Sequence, residues 1–269
     1  MRVLIRIVNL HRRPERLQRT LRILRDALPP DSPGISFTVK PFAAVDGEQL
    51  SLDVLASTLR ASRSHHPGDG IRHSYHRGAD PSFDCDFAAY ACRLPTKGDV
   101  GCTRSHVQLW NDSANCTDYD FVLVLEDDIT SFSADALLQC LNQLQDVSPN
   151  QPWHLCYLFR DTRVVSPLAL RYLNDVRLQL QTIRARQVHV NRVHTYSWST
   201  AAYVGTPSSF RQLYSALEGC LHGRLPVFSI DEYLTLLTLN EHPRCDLRTL
   251  RNTLREEGPY VALAWAPTS

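Results

Sequence analysis

Lysine is almost missing from this chain of 269 residues: Lys40 and Lys97 are the only two, and arginine supplies the rest of the 29 basic side chains. The guanidinium is a planar fork that suits phosphate, whereas an ammonium is a point charge. Many of the arginines crowd into the first 26 residues, which marks that end as a candidate anion site. Net charge is also missing, since 29 basic residues face 28 acidic ones, and this excludes a general nucleic-acid or membrane-surface signature. No apolar run is long enough to span a bilayer. The opening Met1 to Val8 is too short and too interrupted by arginine for a signal peptide, so the expected compartment is the cytoplasm. The sequons at Asn111 and Asn115 would matter only in a secretory lumen. The eight cysteines form no C-x-x-C pair and no dense spacing, which excludes a disulfide scaffold and leaves mostly buried thiols. Internal repeats, low-complexity tracts and linkers are absent too, so residues 1–269 are expected to form one domain, with a long surface excursion over 62–95. His65, His66, His73 and His76 fall in that excursion, at spacings that match no zinc pattern.

What is present is enough apolar material for a full core, 43% of residues, with 21% charged. Its most informative stretch is Phe121 to Ile129, five apolar residues followed by Glu126, Asp127 and Asp128. A short run of Val and Leu reads as a central strand buried on both faces. Three adjacent carboxylates repel one another, and at the C-terminal edge of an open α/β sheet a shared cation would relieve that repulsion. A merely solvated strand exit has the same composition.

The flanking segments read as an α/β alternation. Residues 3–8 form a strand, a polar turn follows, and Pro14 sits at a first helical position ahead of an amphipathic run to Leu28. Amides at that helix start, with Arg12, Arg13 and Arg16, would suit a diphosphate, although on this segment alone a solvated basic helix is the preferred reading. A second strand over 35–40 leads to Asp46-Gly47, a turn whose carboxylate is also placed to meet a base or ribose. A helix is expected at 50–61. Gly98 and Gly101 read as a turn opening a helix, with Ser105 and His106 near its beginning and Val107 and Trp110 toward the core. Further on, 134–147 is amphipathic, 153–159, 187–193 and 196–204 read as strands, and Pro207 starts a helix. Asp231 and Glu232 open another helix, where Asp231 would either cap it or act as a base in a cleft.

Taken together, Val8-Asn9-Leu10 with Arg12, Arg13 and Arg16, Ala44-Val45-Asp46-Gly47, Lys97 to Cys102 with Ser105, His106 and Trp110, and Leu123 to Asp128 resemble glycosyltransferase family 25. Tyr196, Trp198 and Thr200, and the segment from Leu225 through Asp231 to Pro243, lean toward the collagen hydroxylysine galactosyltransferase branch. The resemblance implies a GT-A-type α/β fold, a mixed, mostly parallel sheet flanked by helices. It implies a UDP-sugar donor, an inverting transfer to a glycan or protein hydroxyl, and Mn²⁺ or another divalent cation on Asp128 and Glu126. Asn9, Arg12, Arg13, Arg16 and Asp46 would form the nucleotide pocket, with Ser105, His106, Glu126 and Asp127 lining the donor site. Asp231, or failing it Glu232, would be the base, and Tyr196 and Trp198 a sugar platform. A packing role stands against these assignments most strongly for Trp110, Trp198 and Tyr203. Collagen-type members continue past the region matching Tyr260 to Pro267 into a tail bearing His and Asp, whereas this sequence ends at Ser269. The expectation is therefore that another residue or water completes the coordination, or that turnover is weakened. A GT-A scaffold that binds nucleotide sugar or glycan without effective catalysis is the alternative.

Overall fold

The computed structural model describes residues 1–29, 34–57, 96–147, 153–158, 190–192, 200–225, 230–238 and 260–265. The described elements run β1 (Arg2–Asn9), α1 (Pro14–Ala27), β2 (Ser36–Ala43), α2 (Lys97–Ala114), β3 (Phe121–Glu126), α3 (Ala134–Asp146), β4 (Leu155–Tyr157), β5 (Val190–Arg192), β6 (Ala202–Gly205), α4 (Pro207–Leu217), α5 (Ile230–Thr238) and β7 (Ala262–Trp265). Residues 52–57 are helical as well. The stretch from 62 to 95 and the platform candidates Tyr196 and Trp198 lie outside the described residues.

Seven strands form one sheet in the order β2-β1-β3-β6-β4-β7-β5. β1 pairs with β2 and β3 in parallel, and β4 pairs with β7 in parallel. β6 runs antiparallel to both β3 and β4, and β5 antiparallel to β7. This mixed α/β sheet flanked by helices is the architecture that the family resemblance implied. Its described pairings nevertheless divide evenly between parallel and antiparallel. The chain enters β6 beside the acidic end of β3 and leaves it at Gly205 for helix α4.

The alternation within β3 shows why Phe121 to Leu125 are all apolar. Val122 and Val124 point to a core face shared with Val107 and Trp110 of α2, Phe210 and Leu213 of α4, and Tyr233 and Leu234 of α5. Leu123 and Leu125 point to the opposite face, against Leu24 of α1 and Leu137, Leu141 and Leu144 of α3. A strand covered on both faces can keep no polar side, so the polar residues collect at its end. Burying one such Leu or Val contributes on the order of 2 kcal/mol.

Helix α2 begins earlier than its glycines suggest. Thr96 caps it: its side chain accepts from the Asp99 amide, and the Asp99 carboxylate accepts from the Thr96 amide at 2.7 Å. This reciprocal box fixes the start at Lys97. Gly98 and Gly101 therefore lie inside the helix, and Ser105 and His106 sit two turns in rather than near its beginning. Gly101 has a packing reason to be there, because a Cβ would stand 2.7 Å from the Val45 carbonyl oxygen. At Gly47 a Cβ would run into the Lys97 carbonyl. The two glycines let the end of β2 and the first turns of α2 touch backbone to backbone.

Candidate functional site

The C-terminal ends of β1, β2 and β3 and one face of α2 enclose a cleft of about 300 Å3. The helix contributes Gly98, Cys102, Ser105 and His106 to it, a spacing that keeps all four on one side.

The first wall is the turn from β1 into α1. Asn9 is buried, and its side-chain amide donates to the Arg13 carbonyl at 3.0 Å and to Asp127 Oδ2 at 2.6 Å. One short side chain thereby fastens the entry of α1 to the acidic end of β3. Arg16 Nη1 lies 3.4 Å from Asp127 Oδ1, and the Thr20 hydroxyl donates to the Asp127 carbonyl at 3.1 Å. Asp127 is only 8% exposed, and both its carboxylate oxygens are engaged by α1 and its entry turn.

The second wall is the loop after β2. Asp46 Oδ2 accepts from Arg12 Nε at 2.6 Å, while Oδ1 accepts from the Glu48 amide at 3.1 Å and caps the 3-10 turn Gly47–Gln49. The Arg12 guanidinium holds the Asp46 carboxyl below the usual carboxylate range. The turn role and the cleft role of Asp46 are thus filled by different oxygens of the same group.

The third wall is α2. Ser105 Oγ donates to the Gly101 carbonyl at 2.6 Å and accepts from the Val45 amide at 2.8 Å, which ties the second wall to the helix. His106 is fully buried, and burial pushes its pKa down to about 4. Its Nδ1 is 2.7 Å from the Tyr203 hydroxyl, and that hydroxyl accepts from the Trp110 indole N–H at 2.9 Å. Trp110 and Tyr203 accordingly pack in the core.

Across from them, Glu126 Oε1 accepts from the Thr200 hydroxyl at 2.6 Å and stands 3.9 Å from His106 Nε2. Its carboxyl is pushed up by burial, opposed by the Thr200 hydrogen bond and reinforced by the neighbouring charges of Asp128 and Asp127. Asp128 is exposed at the rim. The described residues do not assemble three ligating side chains, and Asp127 is already committed to Asn9 and Arg16. Two carboxylates remain, Glu126 and Asp128. Hard oxygen donors in that number fit a divalent ion that takes its other ligands from substrate phosphate and water. The charge they leave unbalanced is what such an ion would relieve.

Asp231 lies half-buried in the first turn of α5. Its charge, with those of Glu126 and Asp99, adds to the burial that raises the Cys102 thiol well above its usual range, so it stands on the Cys102 side of the cleft without lining it. Glu232 occupies the same turn. Thr200, Thr20 and Tyr203 were not assigned partners from sequence, because each binds a residue more than seventy positions away.

A family model described as glycosyltransferase family 25 (LPS biosynthesis protein) matches residues 4–232. Procollagen galactosyltransferase 1 of Danio rerio is 28% identical over 243 residues, 88% of this chain and 31% of the relative. A glycosyltransferase 25 family member of Drosophila pseudoobscura pseudoobscura is 32% identical over 144 residues, 52% of this chain and 18% of the relative. The chain thus spans less than a third of the length of these curated relatives. Among solved structures, the galactosyltransferase LgtC in complex with donor and acceptor sugar analogues aligns at TM-score 0.40 and 12% identity, covering 87% of this chain and 69% of that one. None of the described helices is long and apolar enough to cross a membrane.

Proposed function

Because the chain belongs to glycosyltransferase family 25, we propose that it transfers a hexose, galactose from UDP-galactose in the first instance, to a hydroxyl of a glycan or of a hydroxylysine-containing protein. The observation that carries this reading is the cleft itself, in which Arg12, Arg13 and Arg16 at the start of α1 face the carboxylates at the end of β3. Cationic forks beside a helix N-terminus suit a diphosphate. The cleft also sits beyond the carboxyl ends of parallel strands, where open α/β sheets bind nucleotides.

In this reading the guanidiniums hold the diphosphate and stabilise the charge it gains as the sugar departs. Asp46 and Ser105 shape the wall where the nucleoside lies, and Asn9 holds the arginine-bearing turn before α1 against the end of β3. Asp128 and Glu126 would hold a divalent ion, Mn²⁺ being the family's expected one, which supplies positive charge against the phosphate oxygens. Inversion needs attack from the face opposite the leaving group. The acceptor oxygen forms the new bond to the sugar carbon, the bond from that carbon to the diphosphate oxygen breaks, and the acceptor's proton passes to a base. Asp231 is that base, with Glu232 as the fallback. Tyr196 and Trp198 stack on the acceptor or donor sugar.

The test is UDP release from a panel of UDP-sugars, with and without Mn²⁺, for the wild type and Asp128→Ala. Metal-dependent release that Asp128→Ala reduces by at least a hundredfold is expected. Binding of UDP without turnover of any donor sinks the transferase reading and leaves a nucleotide-binding scaffold. Asp231→Asn separates base from cap: transfer should be abolished with UDP affinity nearly unchanged, whereas equal losses of binding and turnover assign Asp231 a structural role.

A further inference from the structure

Tyr203 offers its hydroxyl to two ring systems at the floor of the cleft, and the proton count there has one solution. The Trp110 indole N–H can only donate, and it does so to Tyr203 Oη at 2.9 Å. The phenol is fully buried and must place its own proton on an acceptor. Among the described residues, the acceptor in reach is His106 Nδ1, at 2.7 Å. If Nδ1 instead donated to Tyr203, the phenol proton would be left without a partner in the core. Nδ1 therefore accepts, the imidazole is neutral, and its single proton sits on Nε2.

Nε2 lies on the side of Glu126, and both residues line the cleft. It is buried and has no hydrogen-bond partner among the described residues, the Glu126 carboxylate being 3.9 Å away. A buried N–H left unpaired costs stability, which is tolerable where a ligand will meet it. The geometry points to Tyr203 as a positioning residue that holds His106 in the Nε2–H tautomer, so that a neutral histidine presents a fixed donor to an acceptor oxygen of the bound ligand. The rigid chain Trp110, Tyr203, His106 is built on α2 and β6, so the donor's direction is set by the core and not by the loops around the cleft. The ligand half of this inference rests on the nucleotide-sugar reading given above; the tautomer half does not.

The experiment is nitrogen-15 imidazole spectroscopy of the full chain labelled at histidine, with UDP as the probe, on the wild type and Tyr203→Phe. For wild-type His106 a single Nε2–H tautomer is expected, and its Nε2 proton should shift when UDP is added. In Tyr203→Phe the tautomer preference should be lost and UDP affinity should fall about tenfold, the scale of one hydrogen bond. An Nδ1–H tautomer in the wild type overturns the assignment without reference to any variant, so a failure of Tyr203→Phe to fold would not protect it. An unchanged tautomer in Tyr203→Phe overturns the role of Tyr203. A lost tautomer with undiminished UDP affinity overturns the presentation to ligand. If wild-type protein binds no UDP, the nucleotide-sugar reading and the ligand half fall together, while the tautomer still decides what Tyr203 does.

Discussion

Asn9 shows how much of this site depends on single side chains. Its amide bridges the Arg13 carbonyl and the Asp127 carboxylate, and Asp127 is 8% exposed, so removing the bridge leaves a buried charge with Arg16 as its remaining side-chain partner in the described structure. Hydrogen bonds to charged groups contribute roughly 1.5–3 kcal/mol, and Asn9→Ala should therefore destabilise the protein by about 2 kcal/mol. Urea unfolding would show this as a lower midpoint at unchanged slope. A change under about 0.5 kcal/mol would mean that Asp127 finds water or Arg16 sufficient. At the same scale lies the contrast among the three acidic neighbours. Glu126 and Asp128 reach the cleft free of Asn9 and Arg16, while Asp127 serves α1. Asp127 and Asp128 lie in the turn that follows β3, and the bonds of Asp127 to Asn9 and Arg16 are what divide structure from chemistry within one triplet.

Between β2 and α2 the contact is made by backbone. Gly101 has the Val45 carbonyl and the Gly47 amide where a side chain would be, and Ser105 one turn later accepts from the Val45 amide. Gly101→Ala would gain helix propensity of about 1 kcal/mol, yet a Cβ 2.7 Å from the Val45 oxygen forces the wall apart. Net destabilisation of about 1–3 kcal/mol is expected, the range for overpacking, together with weaker UDP binding. Thermal unfolding and calorimetry of UDP binding check it, and a stabilised variant with intact binding would refute the close approach. Read locally, Gly98 and Gly101 look like turn residues, and this is why the start of α2 was expected too late. The Thr96–Asp99 box was present in the sequence as a competing helix signal. Other elements followed directly from pattern: Pro14 and Pro207 stand at the first positions of α1 and α4, and β3 was readable from its unbroken apolar run.

Across the whole molecule, buried histidines make stability depend on pH. His106 is held down to about 4 by burial. His154 is lowered for the same cause, despite its hydrogen bonds to Gln212 of α4 and from the Val261 amide just before β7. In each case the unfolded chain takes up a proton, near the ordinary value of 6.5, before the folded one does. Stability is therefore full above that value and declines as pH falls, with His106 ceasing to contribute further below about 4. A shift of this size corresponds to about 3 kcal/mol for His106, since each pKa unit is about 1.36 kcal/mol. Glu126, raised in the fold, acts in the opposite sense, so the histidine contribution is isolated by comparing variants. Urea midpoints measured from pH 7.5 to 5 should fall for the wild type and fall less for His154→Gln. Parallel curves would remove His154 from the account.

The sequence by itself determined the strands β1 and β3, the two-faced burial of β3, the start of α1, the arginine cluster around that start and the carboxylates at the end of β3. These follow from hydrophobic period, proline placement and charge, all of which act over a few residues. Tertiary structure alone decided that Asp127 turns inward to Asn9, that Thr200 reaches Glu126, and that Trp110 and Tyr203 set the proton on His106. Those choices depend on hydrogen-bond partners 74 to 118 positions apart, brought together only when β1, β3 and β6 pair and α2 packs across them.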